Sequence, residues 1–186
     1  MMGTAARPPL QGITVVDFSE LLPGPFLTQN LAEMGARIMK IERPPHGDNA
    51  RHLGQGAFEA VNRGKQSLLV DLKDETQRAL VRDLIASADI VVESYRPGVM
   101  ARLGLGWDWF GERKPSLVYC SISAFGQDGP RGAEGGFDLT IQAAAGVMSV
   151  TGEPDGAPVK AGVPLVDFGA GLYAAFTIAS LLARVR

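Results

Sequence analysis

Five short β-rich runs, with helical patterns between them, constrain this chain more than any other feature. They cover residues 13–18, 37–41, 67–72, 90–93 and 117–123. Most are continuous rather than alternating, as expected of strands covered on both faces. Between them, Phe26, Leu27, Leu31 and Met34 fall on one helical face. Leu80, Val81, Leu84 and Ile85 do the same within residues 74–88. Asp74 and Gln77 form a capping box for that second helix. Pro25 sits in the first turn of the earlier one, where proline is tolerated. Strands alternating with helices predict an α/β fold, Rossmann-like and doubly wound, with a mainly parallel sheet. Ligands bind such sheets beyond the carboxyl ends of the strands. A site is therefore expected among loops 19–24, 42–63, 94–98 and 124–136.

After residue 123 the texture changes. A glycine-rich loop covers 125–136, a small-residue helix 139–147, and a second Gly/Pro loop 151–162. A long apolar helix is predicted from Pro164 to Arg186. Its core, residues 172–183, is too short to span a bilayer and contains Thr177 and Ser180, so it reads as a buried core helix. No glycine or proline stops the pattern at Arg186, which reads as a fragment cut within a helix. Residues 1–12 hold no continuous apolar stretch of the kind found in a secretory leader.

Charge and cysteine usage narrow the function. A net charge of −2 gives no global field toward nucleic acid or an acidic membrane, so neither is an expected partner. Cys120 is the single cysteine; it can build neither a disulfide framework nor a cysteine metal site, and it fits a reducing cytoplasm. Cys120 lies in a strand run and reads as an inert buried thiol. His46 and His52 share a loop with Asp48, but at no standard ligand spacing, so no metal is expected. Gly104 and Gly106 lack the third glycine and the preceding strand of a dinucleotide fingerprint.

Asp167 is the residue that stands out. It is one acid in the apolar stretch 163–169, where a helix begins. An aspartate there can cap the helix, or serve as a nucleophilic carboxylate, since it is ionised at pH 7 without a general base. Both readings are compatible. The loop 21–25 leads from the first strand into the first helix, whose N–H groups could receive a phosphate or carbonyl. Arg43, Arg51, Arg63 and Arg96 fall in or beside crevice loops, and Lys73 just follows a strand; guanidinium groups suit phosphates. Taken singly, each is a surface charge.

Four segments together resemble CoA-transferase family III, the formyl-CoA transferase group. The first runs from Val16-Asp-Phe-Ser-Glu-Leu-Leu-Pro-Gly-Pro25 to Lys40-Ile-Glu42, and the second is Asn62-Arg-Gly-Lys65 with Val70-Asp-Leu-Lys73. The third is Val92-Glu-Ser-Tyr-Arg-Pro-Gly98 with Arg102-Leu-Gly-Leu-Gly106. The fourth begins at Ser121-Ile-Ser-Ala-Phe-Gly and includes Gly136-Phe-Asp138, Thr151-Gly-Glu-Pro and the Asp167 stretch. The resemblance implies that Asp167 is a nucleophile carrying CoA as an aspartyl thioester between an acyl-CoA donor and a carboxylic acid acceptor. It implies CoA contacts at Leu22, Pro23, Arg43, Val70, Lys73, Ser94, Tyr95, Arg96, Arg102, Phe137 and Asp138. It implies no cofactor beyond coenzyme A as co-substrate. It also implies an interlocked homodimer, and that residues 1–186 are the N-terminal part of a protein about twice as long. The absent half would supply a small second domain and a glycine-rich loop over the site, so this chain alone could be inactive. The 2-methylacyl-CoA racemases share the architecture but place a histidine where this chain has Phe137, which cannot move a proton.

Overall fold

The computed structural model describes residues 7–54 and 56–185. Five strands, β1 (Thr14–Asp17), β2 (Arg37–Glu42), β3 (Gln66–Leu69), β4 (Ile90–Glu93) and β5 (Val118–Ser121), form one sheet in the order β3-β2-β1-β4-β5. Every pairing is parallel. The fold is α/β and doubly wound, with β1 where the chain order reverses.

The central strands are apolar on both faces, and successive residues point to opposite sides. Val15, Ile38, Ile90 and Val92 pack under α1 (Pro23–Glu33) and α7 (Leu165–Val185) with Leu27, Leu31, Ala175 and Ile178. Val16, Met39, Ile41 and Val91 face the other way, against Val81 and Ile85 of α3 (Glu75–Ser87), Met100 of α4 (Val99–Arg102) and Phe110 of α5 (Trp107–Phe110). A short helix α2 (Ala57–Ala60) and a 3-10 turn (Asn49–His52) fill the β2–β3 connection, and α6 (Asp138–Ala144) follows β5. The Asp74 side chain accepts from Thr76 N and Gln77 N, as the sequence predicts for the start of α3.

Two expectations are corrected. The edge strands are not covered on both faces: β3, at the edge of the sheet beside β2, is exposed along its length, with Leu68 and Leu69 in solvent. Nor is α7 a buried core helix. It has 21 residues, long and apolar enough by length and composition to cross a membrane, yet only one stripe is seated on the domain. Gly171, Ala175 and Ile178 form that stripe, while Leu172, Tyr173 and Phe176 face outward. Arg186, the expected last helical residue, lies outside the described residues.

Candidate active site

The carboxyl ends of β1, β2 and β4 carry buried charge. Lys40 pairs with Asp48 at 2.8 Å, both side chains fully enclosed. Lys65 reaches Asp17 at 3.4 Å and donates to Pro25 O (2.9 Å), Thr28 Oγ1 (2.7 Å) and Asn62 Oδ1 (2.8 Å). Burial pulls the Lys65 ammonium down to about 8, opposed by Asp17. For Asp17, burial acts upward, but Lys40, Lys65 and the Ser19 and Thr28 hydroxyls outweigh it and leave the group below its usual range. Glu42 likewise resists burial through Arg51 and Ser67 and is brought down to about 2.

These pairs hold the β1–α1 loop. Asp48 Oδ1 accepts from Leu21 N at 3.0 Å and from Ala50 N at 2.8 Å. Leu21 has φ of 68°, a left-handed conformation that costs a non-glycine residue about 1–3 kcal/mol. Ser94 Oγ accepts from Glu20 N at 3.1 Å, tying this loop to the one after β4. Gly24 lets the first turn of α1 lie on the loop, since a Cβ there would meet Ser19 Cβ at 2.1 Å. Gly171 does the same for α7, where a Cβ would sit 2.7 Å from Pro23 O.

Above this platform opens a cavity of about 350 Å³, at the crevice expected of a doubly wound sheet. Glu20, Leu21, Pro23, Arg43, Asn49, Tyr95, Phe137 and Asp167 are among its lining residues. Asp167 is the third residue of α7. The capping role offered for it belongs instead to Asp138, whose Oδ1 accepts from Val166 N at 2.7 Å and Asp167 N at 3.3 Å. Partial burial, and then the Asp138 charge, push the Asp167 carboxyl up to about 6. At pH 7 it is still mostly ionised, and a more basic carboxylate is the better nucleophile. Glu20 is also raised, by burial and then by Asp48, and its Oε2 accepts from Asn49 Nδ2 at 2.6 Å.

The residues predicted from sequence divide into three sets. Pro23, Arg43, Ser94, Tyr95, Phe137 and Asp167 line the cavity together. Arg96 lines an adjoining recess that shares Ser94, Tyr95 and Phe137. Leu22, Val70, Lys73, Arg102 and Asp138 line neither. Glu20, Asn49, Ile122 and Gln142 were not predicted. Only Gln142 carried a usable signal, lying four residues after Asp138 on a helix, where side chains meet. Neither His46 nor His52 lines the cavity, and their rings lie 5.8 Å apart. Among the described residues no cluster of histidine, cysteine or acidic side chains could hold a metal ion. Cys120 is half-buried, and burial raises its thiol to about 11, consistent with an inert group.

Known proteins are similar to this chain in sequence and in fold. A succinate–glutarate CoA-transferase of Agrobacterium fabrum is 40% identical over 95% of this chain and 47% of its own length. An acetyl-CoA:oxalate CoA-transferase of Acetobacter aceti is 42% identical over 96% of this chain and 48% of its own. A crystal structure of a CAIB/BAIF family protein from Brucella suis superposes with a TM-score of 0.92 at 38% identity, covering 96% of this chain and 50% of that one. The chain thus spans about half the length of these relatives. A family model described as CoA-transferase family III matches residues 10–186. The chain belongs to CoA-transferase family III.

Proposed function

We propose that this chain provides the nucleophile and part of the coenzyme A site of an enzyme moving CoA from an acyl-CoA to a carboxylic acid. The observation that carries the reading is the Asp167 carboxylate, with its raised pKa, at the wall of the crevice cavity. The carboxylate attacks the thioester carbonyl of the donor, expelling CoA thiolate and forming a mixed anhydride. The thiolate then attacks the aspartyl carbonyl, releasing the donor acid and leaving an aspartyl-CoA thioester. The acceptor carboxylate attacks that thioester, giving a second anhydride and thiolate. Thiolate attack on the acceptor's carbonyl yields the new acyl-CoA and restores Asp167. Each step exchanges one anion for another, so the cycle needs no net proton transfer. Splitting the transfer this way replaces one hard step with several easier ones.

Each acyl exchange builds an oxyanion that wants preorganised N–H donors. The amides of Val166 and Asp167 are already engaged by Asp138, so those donors come from another segment. We assign them to the part of the relatives' length that this chain does not span, and the active assembly to a homodimer. A lone free thiol fits a reducing cytoplasm. The relatives named for succinate, glutarate and oxalate favour small dicarboxylic acids as substrates.

The test is intact-mass spectrometry after mixing the chain with succinyl-CoA, acetyl-CoA or oxalyl-CoA. A CoA-sized adduct is expected in wild type and absent in Asp167→Ala. Its yield should rise with pH and level off above about 6, as Asp167 ionises. An adduct that persists in Asp167→Ala sinks the assignment of the nucleophile. Without the missing oxyanion donors the adduct should form slowly, and no adduct from a folded chain with any donor after prolonged incubation sinks the reading that Asp167 reacts with acyl-CoA.

A further inference from the structure

Gln142 is completely buried, although it belongs to a short helix on the surface of the domain. A buried amide is retained only when both its ends are satisfied. Here they are. Gln142 Nε2 donates to Asp138 Oδ2 at 2.5 Å, and Gln142 Oε1 accepts from Ala161 N at 2.8 Å. The other oxygen of Asp138 receives the amides of Val166 and Asp167. One hydrogen-bonded chain therefore runs from the 151–162 loop through Gln142 and Asp138 to the backbone of Asp167.

We propose that Gln142 is a positioning residue for the nucleophile, clamping the Asp138 carboxylate onto the first turn of α7 and so fixing the orientation and electrostatic surroundings of Asp167. The proposal rests on Asp167 being the reacting group, as above. Asp138, from α6, is the charge set directly against Asp167; Glu20, Arg43 and Tyr95 share its cavity from the ends of β1, β2 and β4. Without the Gln142 donor, Asp138 is free to turn toward solvent. Its charge would then press less on Asp167. The released amides at the helix start would favour the Asp167 carboxylate. Both changes act in the same direction.

The experiment is a pH titration of the chain labelled with ¹³C at aspartate Cγ, with the Asp167 resonance identified by its loss in Asp167→Asn. In Gln142→Met, which keeps the side-chain length but removes both polar ends, the Asp167 midpoint is expected to fall from about 6 toward the ordinary carboxylate range. Asp138→Asn keeps an acceptor for the α7 amides but removes the charge, and should lower the midpoint too. Adding Gln142→Met to Asp138→Asn should then shift it little further, because groups in one network are not additive. A Gln142→Met chain that melts earlier but titrates like wild type would show a merely structural amide and overturn the proposal. If Gln142→Met does not fold, the wild-type Gln142 side-chain amide decides the matter. It should exchange slowly and shift through the Asp167 midpoint, and a freely exchanging amide that ignores that midpoint rejects the relay. The titration uses no CoA, so a failed adduct experiment beside an intact titration result faults the transferase reading alone.

Discussion

At the level of single residues, the site trades stability for reactivity. Asp167 is more basic folded than unfolded, so protons favour the folded state. The penalty is absent at low pH, appears as pH rises above 3.8, and is complete above about 6. Solvent screens roughly half of the group, so we take the cost as about 1 kcal/mol rather than the full shift. Asp167→Asn should therefore raise the melting temperature at pH 8 by roughly 2–4 °C and change it little at pH 4, read by differential scanning fluorimetry. An equal change at both pH values would mean that titration of Asp167 is not the cause. Lys65 is likewise a charge that burial disfavours, but it is held by four partners, one of them a buried acid. Lys65→Met leaves Asp17 without that partner and should cost about 3–5 kcal/mol, measured as a shift in the urea midpoint. A loss below 1 kcal/mol would show that Lys40 alone holds Asp17.

At the level of elements, the parallel sheet was legible because β1 and β4 are short continuous apolar runs set between helical patterns, as expected of strands covered on both faces. Its edges were not. Leu68 and Leu69 of β3 are as apolar as any core pair, and their exposure at the sheet edge is a tertiary fact that no local pattern carries. The same limit applies to α7, where apolar composition reads as burial although a single stripe is packed. In the site, the position of Asp167 at the start of a helix was legible, but its capping partner was not. The cap arrives from Asp138, 29 residues earlier, and no local rule links the two. The Lys40–Asp48 pair escaped notice for a related reason: a lysine inside a strand and an aspartate in a loop look like surface charges until the fold encloses them.

At the level of the whole molecule, the outward face of α7 stands out, with Tyr173 75% and Phe176 71% exposed. Apolar area presented in this way favours association. These 186 residues alone should sediment as a concentration-dependent oligomer, and Tyr173→Lys with Phe176→Lys should shift it toward monomer in analytical ultracentrifugation. A monomer at every concentration would show that this face needs no cover. The strand order also sets a timetable for synthesis. β1 pairs with β2 soon after it is made, but its other edge waits for β4, since Val15 is registered with Ile90. At ordinary elongation rates of about 5–20 residues per second, that interval lasts roughly 4–15 s. For those seconds the strand that will occupy the centre of the sheet has one open, sticky side on the ribosome, making this the stretch of translation at which a chaperone would matter most.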